Sequence, residues 1–393
     1  MVEESLRLLM IAPTPYFADR GCHVRIYEEA RALTRMGHEV CIVTYHLGRD
    51  MPGVRVVRTP AVRWYKKLEA GPSWHKPYLD LLLLLKSLAE ARSFRPHLIH
   101  AHLHEGTLVG SVLKRLLNIP LLFDYQGSLT GESLNHGFFS DRSLLMKLFK
   151  SVELFINHQA DHIITSSDKA AIELADDWKI SPSRISNLID AVDTDVFFPY
   201  PASEARRELC IDEGVKLVVY LGLFNSYQGV DFLLDTIATI RAKSPDIHFL
   251  LMGFPEVEYK SKAKELGIDD VITFTGRVSY ERAAFFLSAG DLAVSPKLSL
   301  TEANGKLFNY MACGLPTVVF DNQINREILG DYGIYVEHGN ADLLAESIIS
   351  TIHDEVLSGT ISIKLRERAV EVHSWKSRSE QLHNIYRKIL NSR

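Results

Sequence analysis

Residues 295–321 read SPKLSLTEANGKLFNYMACGLPTVVFD, and few folds accommodate them. The stretch holds a strand end, a polar turn, a helix of about 305–313 and a second strand at Thr317–Phe320. Asn304 is placed to cap the helix through its side-chain oxygen, and Gly305 lets backbone approach a bulky ligand. Gly314 suits the helix C-terminus and Pro316 forbids continuation. Leu307 and Met311 lie four apart and face a sheet, whereas Lys306 and Asn309 share another face. Glu302, Lys306 and Asn309 can therefore meet one ligand near the helix start. Unpaired N–H groups there suit a phosphate, Lys306 adds a full charge, and a carboxylate suits sugar hydroxyls.

The rest of the chain repeats the same alternation. Apolar strands at Leu6–Ala12, Glu39–Tyr45, Val54–Thr59, His97–His102, Leu121–Tyr125 and His162–Ser166 are separated by helical patterns. A second series runs through Lys216–Gly222, Ile247–Gly253 and Val271–Gly276. Strand and helix in turn specify an α/β fold with parallel sheets, whose ligands sit at the carboxyl ends of strands. At 393 residues two domains are expected, with a boundary near the Pro199 and Pro201 pair. A net charge of -5 gives no reason to expect nucleic-acid binding. Cys22, Cys41, Cys210 and Cys313 show no paired spacing and read as reduced thiols, with neither disulfide nor zinc. The start, MVEESLRLLMIAPTP, lacks the basic flank and long apolar run of a secretion signal, so a cytoplasmic protein is expected.

Several loops are candidate ligand contacts. Gly21 lies in the loop after the first strand, and Gln126 ends the strand at Leu121–Tyr125. The polar loop of 127–142 is long enough to line an acceptor site, with Glu132, Asn135 and His136 as sugar contacts. His100, His102 and His104 alternate as on a strand; without a matching carboxylate or Cys cluster, His100 and His102 read as structural and no metal site is assigned. Residues 63–88 join Trp64, Tyr65, Lys66, Lys67, Trp74, Lys76 and Tyr78 to a leucine run. That mixture suits peripheral contact with an anionic membrane face; the plainer reading is a buried helix entered by a basic loop.

KLFNYMACGLPTVV resembles the donor-site helix of family 4 glycosyltransferases, retaining enzymes of the GT-B fold. NLIDAVDTDVFFP, from Asn187, is similar to their interdomain linker, and His373-Ser374-Trp375 to the start of their last helix. The resemblance implies two Rossmann-like domains facing across a cleft: an acceptor-side domain at 1–197, a nucleotide-sugar domain at 198–372, and a helix at 373–393 packing back on the first. It also implies sugar transfer from a nucleotide-diphosphate donor to a hydroxyl, by a front-side route with neither metal nor dedicated base. No cofactor is needed, because the nucleotide sugar is a substrate. In this frame Glu302 holds the donor sugar, Asn309 meets the ribose, Arg277 the base or ribose, and the Gly21 backbone the phosphates.

The chain departs from the family pattern at four functional positions, and Glu302 stands one residue late for the family's first Glu. Gln126 stands where the family has His, Asn309 where it has the second Glu, and Leu223 and Gln228 where it has the Arg and Lys that hold the diphosphate. Lys297 and Lys306, helped by the Gln228 amide, are the expected compensating groups. The acceptor is expected to be a saccharide or lipid-linked saccharide of polysaccharide or cell-envelope synthesis, used at the inner membrane face. A non-catalytic relative that binds a partner or glycan is the second reading, motivated by those four departures, and a sugar-nucleotide epimerase is the third.

Overall fold

The computed structural model describes residues 5–18, 21–66, 75–130, 144–299 and 304–392, except for the side chains of 144 and 145. The chain divides into two compact units, Met1–Ile189 with Trp375–Arg393, and Asp190–Ser374. Pro199 thus falls inside the second unit. Val192 N–H donates to His373 carbonyl at 2.9 Å, so the two ends of that unit lie side by side.

The first unit runs β1 (Arg7–Ala12), α1 (Gly21–Arg35), β2 (Glu39–Thr44), β3 (Arg55–Arg58), α2 (Lys76–Phe94), β4 (Leu98–His102) and α3 (Leu103–Leu117). It continues with β5 (Leu121–Tyr125), α4 (Leu144–Asn157), β6 (His162–Thr165), α5 (Asp168–Asp176) and β7 (Ile185–Asn187). The seven strands lie in the order β3-β2-β1-β4-β5-β6-β7, every pair parallel. Strands covered on both faces should read as unbroken apolar runs, and Leu8 to Ile11 are fully buried. The C-terminal helix, Trp375–Asn391, packs on α1. Trp375 Nε1 donates to Glu28 at 2.5 Å, and His38 Nε2 meets His383 Nδ1 at 3.0 Å in a stacked pair.

The second unit contains α6 (Ala202–Glu208), β8 (Lys216–Leu221), α7 (Val230–Lys243), β9 (Ile247–Met252), α8 (Val257–Glu265), β10 (Ile272–Gly276) and α9 (Tyr280–Leu287). It ends with β11 (Leu292–Ser295), α10 (Lys306–Ala312), β12 (Thr317–Phe320), α11 (Gln323–Leu329), β13 (Ile334–Val336), α12 (Ala341–His353) and α13 (Glu355–Glu371). Its sheet order is β10-β9-β8-β11-β12-β13, again parallel. Each sheet reverses its winding once, between β1 and β4 and between β8 and β11. Loops leave a doubly wound sheet in opposite directions at such a point and open a crevice there.

His162 begins β6, and its Nε2 meets Ser186 Oγ at 2.8 Å. Burial, helped by the charges of Lys388 and Arg184, lowers its pKa to about 4. The unfolded chain then binds the proton first, from about pH 6.5 downward. Stability of the first unit should therefore fall by up to about 1.4 kcal/mol per pH unit as pH drops from the unfolded value to about 4, and level off below. His102, lowered by burial and His100, adds slope in the same sense. Urea midpoints against pH test this: His162→Gln should flatten its share of the decline, and an unchanged profile would refute the assignment.

Candidate active site

At the β8/β11 switch point the second unit gathers Tyr220, Gln228, Lys297 and Lys306. Lys306 Nζ donates to Gln228 Oε1 at 2.8 Å and to Tyr220 Oη at 3.2 Å, and lies 4.3 Å from the Tyr220 ring centroid. Its side chain is half-buried and Lys297 is buried. Burial, then the charge of Lys297, drives the Lys306 pKa well below that of an ordinary lysine. Two ammonium groups held together in a partly desolvated place form a site for an anion, whose charge relieves both.

The backbone here demands glycine. A Cβ on Gly229, at φ +75°, would sit 1.9 Å from the Pro296 carbonyl oxygen, and one on Gly222 would sit 2.9 Å from Lys306 Nζ. Leu298 N–H donates to the Tyr227 carbonyl at 3.0 Å, which fastens the loop carrying Lys297 to the loop carrying Gln228. Asn225 caps the short turn at Ser226–Gln228 by accepting from Gln228 N–H at 2.9 Å.

Asn304 does not cap α10. Its side chain is buried and turned the other way, donating to Ser295 Oγ at 3.1 Å and to Asn325 Oδ1 at 3.0 Å. Those bonds tie the turn before α10 to the end of β11 and to α11. Gly305 takes the cap position with an ordinary helical φ, and a Cβ there would meet nothing within 4 Å, so local packing does not require glycine. Helix α10 has seven residues, so the cations supply most of the positive field. Leu307 and Met311 are buried as expected, and Asn309 is half-buried on the Lys306 side. Arg277 is exposed after β10 and stacks 4.0 Å over the Phe254 ring. Glu256 was missed by sequence reasoning: its Oε2 is buried beside Gly276 without a hydrogen bond. Glu302, Glu132 and His136 lie outside the described residues.

In the first unit Gly21 is the exposed first residue of α1, and a Cβ there would meet nothing within 4 Å. Gln126 Nε2 donates to Asp124 Oδ2 at 2.7 Å. The same carboxylate takes Arg25 Nη2 at 2.9 Å, Arg25 Nε at 3.1 Å and His102 Nδ1 at 2.9 Å. Burial alone would raise the Asp124 pKa, but the guanidinium and His102 hold it far below the usual carboxylate range. Anchoring its amide nitrogen this way leaves the Gln126 carbonyl oxygen to accept from a hydroxyl.

The histidines do have carboxylates after all. His100 Nδ1 lies 2.9 Å from Glu29 Oε1, and Glu29, His100, His102 and Asp124 place ligand-type atoms within 4.8 Å of one another. These four buried residues are the group that could hold a metal ion among the described residues, although Arg25 on Asp124 opposes a dication there. Glu29 comes from α1 and Asp124 from β5, which is why the spacing of the histidines alone did not reveal them. Glu153 of α4 was also missed: it accepts from Leu129 N–H at 3.0 Å, Thr130 N–H at 2.9 Å and Thr130 Oγ1 at 2.5 Å, with His104 Nε2 at 3.4 Å. One buried carboxylate thus fixes the start of the loop after Gln126.

Sequence profiles decide the family. That of the glycosyl transferase 4-like domain matches residues 20–187, and that of glycosyl transferases group 1 matches 215–354. The chain belongs to family 4 of the glycosyltransferases. Among relatives of this transferase, the sulfoquinovosyl transferase SQD2 of Arabidopsis thaliana is 24% identical over 386 residues, covering 96% of this chain and 72% of that one. Sucrose-phosphate synthase from Thermosynechococcus elongatus superposes with a TM-score of 0.82 at 20% identity, over 99% and 100% of the two chains. Anabaena HepE in complex with UDP-glucose gives 0.77 at 16% identity, over 98% and 100%. Both folds are GT-B, so the two parallel-sheet units are the two Rossmann-like domains of that architecture. As a glycosyltransferase the protein moves a sugar from a sugar nucleotide, which makes the second-unit cations the natural place to look for the diphosphate.

Of the residues suggested as membrane contacts in 63–88, Tyr65 is buried and Lys76 is paired with Glu105. Trp64 is 76% exposed, and Leu81 and Leu85 are exposed on α2. No helix among the described residues is long and apolar enough to cross a membrane.

Proposed function

We propose that this glycosyltransferase retains configuration, works without a divalent metal at the donor, and delivers the sugar to a hydroxyl of a saccharide or lipid-linked acceptor. The observation that carries the reading is the Lys306 ammonium set between Gln228, Tyr220 and the charge of Lys297. Charge developing on the leaving diphosphate is what such a site stabilises best, because the cations are already in place when the bond breaks. The bond from the sugar C1 to phosphate oxygen breaks, the bond from C1 to acceptor oxygen forms on the same face, and the acceptor proton passes to the departing phosphate oxygen. Arg277 on Phe254 takes the base or ribose, Asn309 the ribose and Glu302 the sugar, while Gln126 accepts from a hydroxyl on the acceptor side. Synthesis of polysaccharide or cell-envelope glycan at the inner face of the membrane fits these acceptors.

Thermal shift with UDP, GDP and ADP, each with and without EDTA, tests the donor half. A ligand at 100 times its dissociation constant adds about 2.7 kcal/mol, a shift of several degrees. A shift with one nucleotide that persists in EDTA is expected. A shift abolished by EDTA would overturn metal independence, and none with any nucleotide would overturn the donor site.

A further inference from the structure

The contacts of Lys306 suit a free amine better than an ammonium. Among the described residues its Nζ has two acceptors, Gln228 Oε1 at 2.8 Å and Tyr220 Oη at 3.2 Å. Tyr220 gives its own proton to the Leu223 carbonyl at 3.0 Å, so its oxygen meets Lys306 as an acceptor. Two acceptors serve the two N–H bonds of an amine, whereas an ammonium brings a third N–H, which a bound anion can take. A Cβ on Gly222 would sit 2.9 Å from Nζ, so glycine at that position keeps room beside the nitrogen. Leu298 N–H on the Tyr227 carbonyl fastens the loop of Lys297 to that of Gln228, which sets a second cation beside the amine. Burial first, and then the charge of Lys297, favour the uncharged form of Lys306. Desolvation and a neighbouring cation are the two conditions under which a lysine becomes a nucleophile at neutral pH.

We infer that Lys306 is a site of covalent acylation by small acyl phosphates, with Lys297 holding the phosphate while the Lys306 amine attacks the acyl carbon. The bond from nitrogen to acyl carbon forms, the bond from acyl carbon to phosphate oxygen breaks, and the proton shed by nitrogen leaves on inorganic phosphate. Lys297 selects an anionic reagent, and the half-burial of Lys306 selects a small one. The amide that results carries no charge, so the pair of cations becomes a single one. Acylation would thereby close the diphosphate site. That consequence rests on the donor reading above; the acylation itself does not.

The test exposes the full chain to acetyl phosphate at neutral pH and follows each lysine by peptide mass spectrometry. An ordinary lysine there is only about one part in a thousand free base, so Lys306 should be acetylated roughly tenfold or more faster than exposed Lys150 and Lys376. Inorganic phosphate should slow the reaction at Lys306 and leave the exposed lysines unaffected. Lys297→Met should bring Lys306 down toward the exposed rate, while Lys297→Arg, which keeps the charge, should preserve most of the lead. Modification of Lys306 no faster than of Lys150 and Lys376, or a lead that phosphate does not reduce, would overturn the inference. The phosphate arm uses wild type, so it decides the matter even if Lys297→Met fails to fold. Thermal shift of the acetylated chain, with whichever of UDP, GDP and ADP shifts the unmodified chain, reads the consequence. Loss of that shift is expected, and an undiminished shift would overturn closure of the site. A chain that labels fast at Lys306 but never shifts with a nucleotide sinks the donor reading alone.

Discussion

Replacing Lys306 by methionine is expected to weaken nucleoside-diphosphate binding roughly ten- to a hundredfold, the worth of one or two charge-assisted hydrogen bonds. The substitution keeps the apolar stem against Tyr220 and removes only the ammonium. Folding should suffer little, because Lys306 charges at a cost that burial and Lys297 impose. A lowered pKa also fixes the sign of a pH effect. The free site holds its proton weakly, a bound diphosphate strengthens that hold, and binding therefore takes up protons. Affinity should fall as pH rises through the lowered Lys306 value, well before ordinary lysines titrate, and Lys306→Met should flatten that limb of the profile. Titration calorimetry in buffers of different ionisation enthalpy reads the uptake directly. Because Lys306 Nζ already touches the Gln228 amide, an ammonium delivered from the Gln228 side should do the same work. Gln228→Lys combined with Lys306→Gln should recover much of the affinity that Lys306→Gln loses. If Lys306→Met binds as wild type, the anion is held elsewhere.

The alternation that made the fold legible rests on burial. Strands such as Arg7–Ala12 and Thr317–Phe320 are buried along nearly their whole length and therefore spell themselves out as apolar or β-branched runs. Elements without such burial escaped notice. Helix α8 buries only Tyr259 and Ala263, so its sequence VEYKSKAKE carries no stripe to read, and β13 is three residues long. Helix α13 begins at Glu355, where Asp354 caps it by accepting from Leu357 N–H, and it buries only Leu365 and Ala369, so it too shows no clear stripe.

The site was legible where its residues share one turn and illegible where the fold assembles it. Lys306 and Lys297 stood out because they flank a recognisable strand-helix unit. Asn304 was misread because asparagine before a helix is a general capping signal; its actual partners, Ser295 and Asn325, lie 9 and 21 positions away. Arg25 and Asp124 are separated by 99 positions, and each taken alone looks like a surface charge in an amphipathic element. Glu153 lies on a helix with an apolar outer face and a polar residue pointing in, the reverse of the pattern that periodicity arguments assume.

Asp124→Ala is expected to destabilise the first unit by roughly 3–5 kcal/mol, the usual cost of breaking a buried ion pair from one side. Both partners are nearly inaccessible, at 4% and 0% exposure, so water cannot replace the carboxylate. The guanidinium would lose its bonds of 2.9 and 3.1 Å to the carboxylate, whereas its bonds to the Leu188 carbonyl are long, at 3.4 Å. His102 Nδ1 and Gln126 Nε2 would lose the same acceptor. Because the Asp124 pKa is depressed in the folded chain, its contribution is fully present above the unfolded carboxylate value near 4 and is lost as pH falls toward the folded value. Urea unfolding followed in the first unit measures the change, and a loss under about 1 kcal/mol would mean that the pair is far better solvated than its burial implies. Removing both charges, Arg25→Met with Asp124→Leu, should return part of the stability, since an apolar pair leaves no unpaired charge, although buried His102 Nδ1 still lacks its acceptor. It would not return the anchor for Gln126. If Gln126 contacts the acceptor as proposed, the double variant should bind the donor nucleotide like wild type and still transfer sugar poorly. A double variant that is stable and fully active would show that Asp124 serves the fold alone.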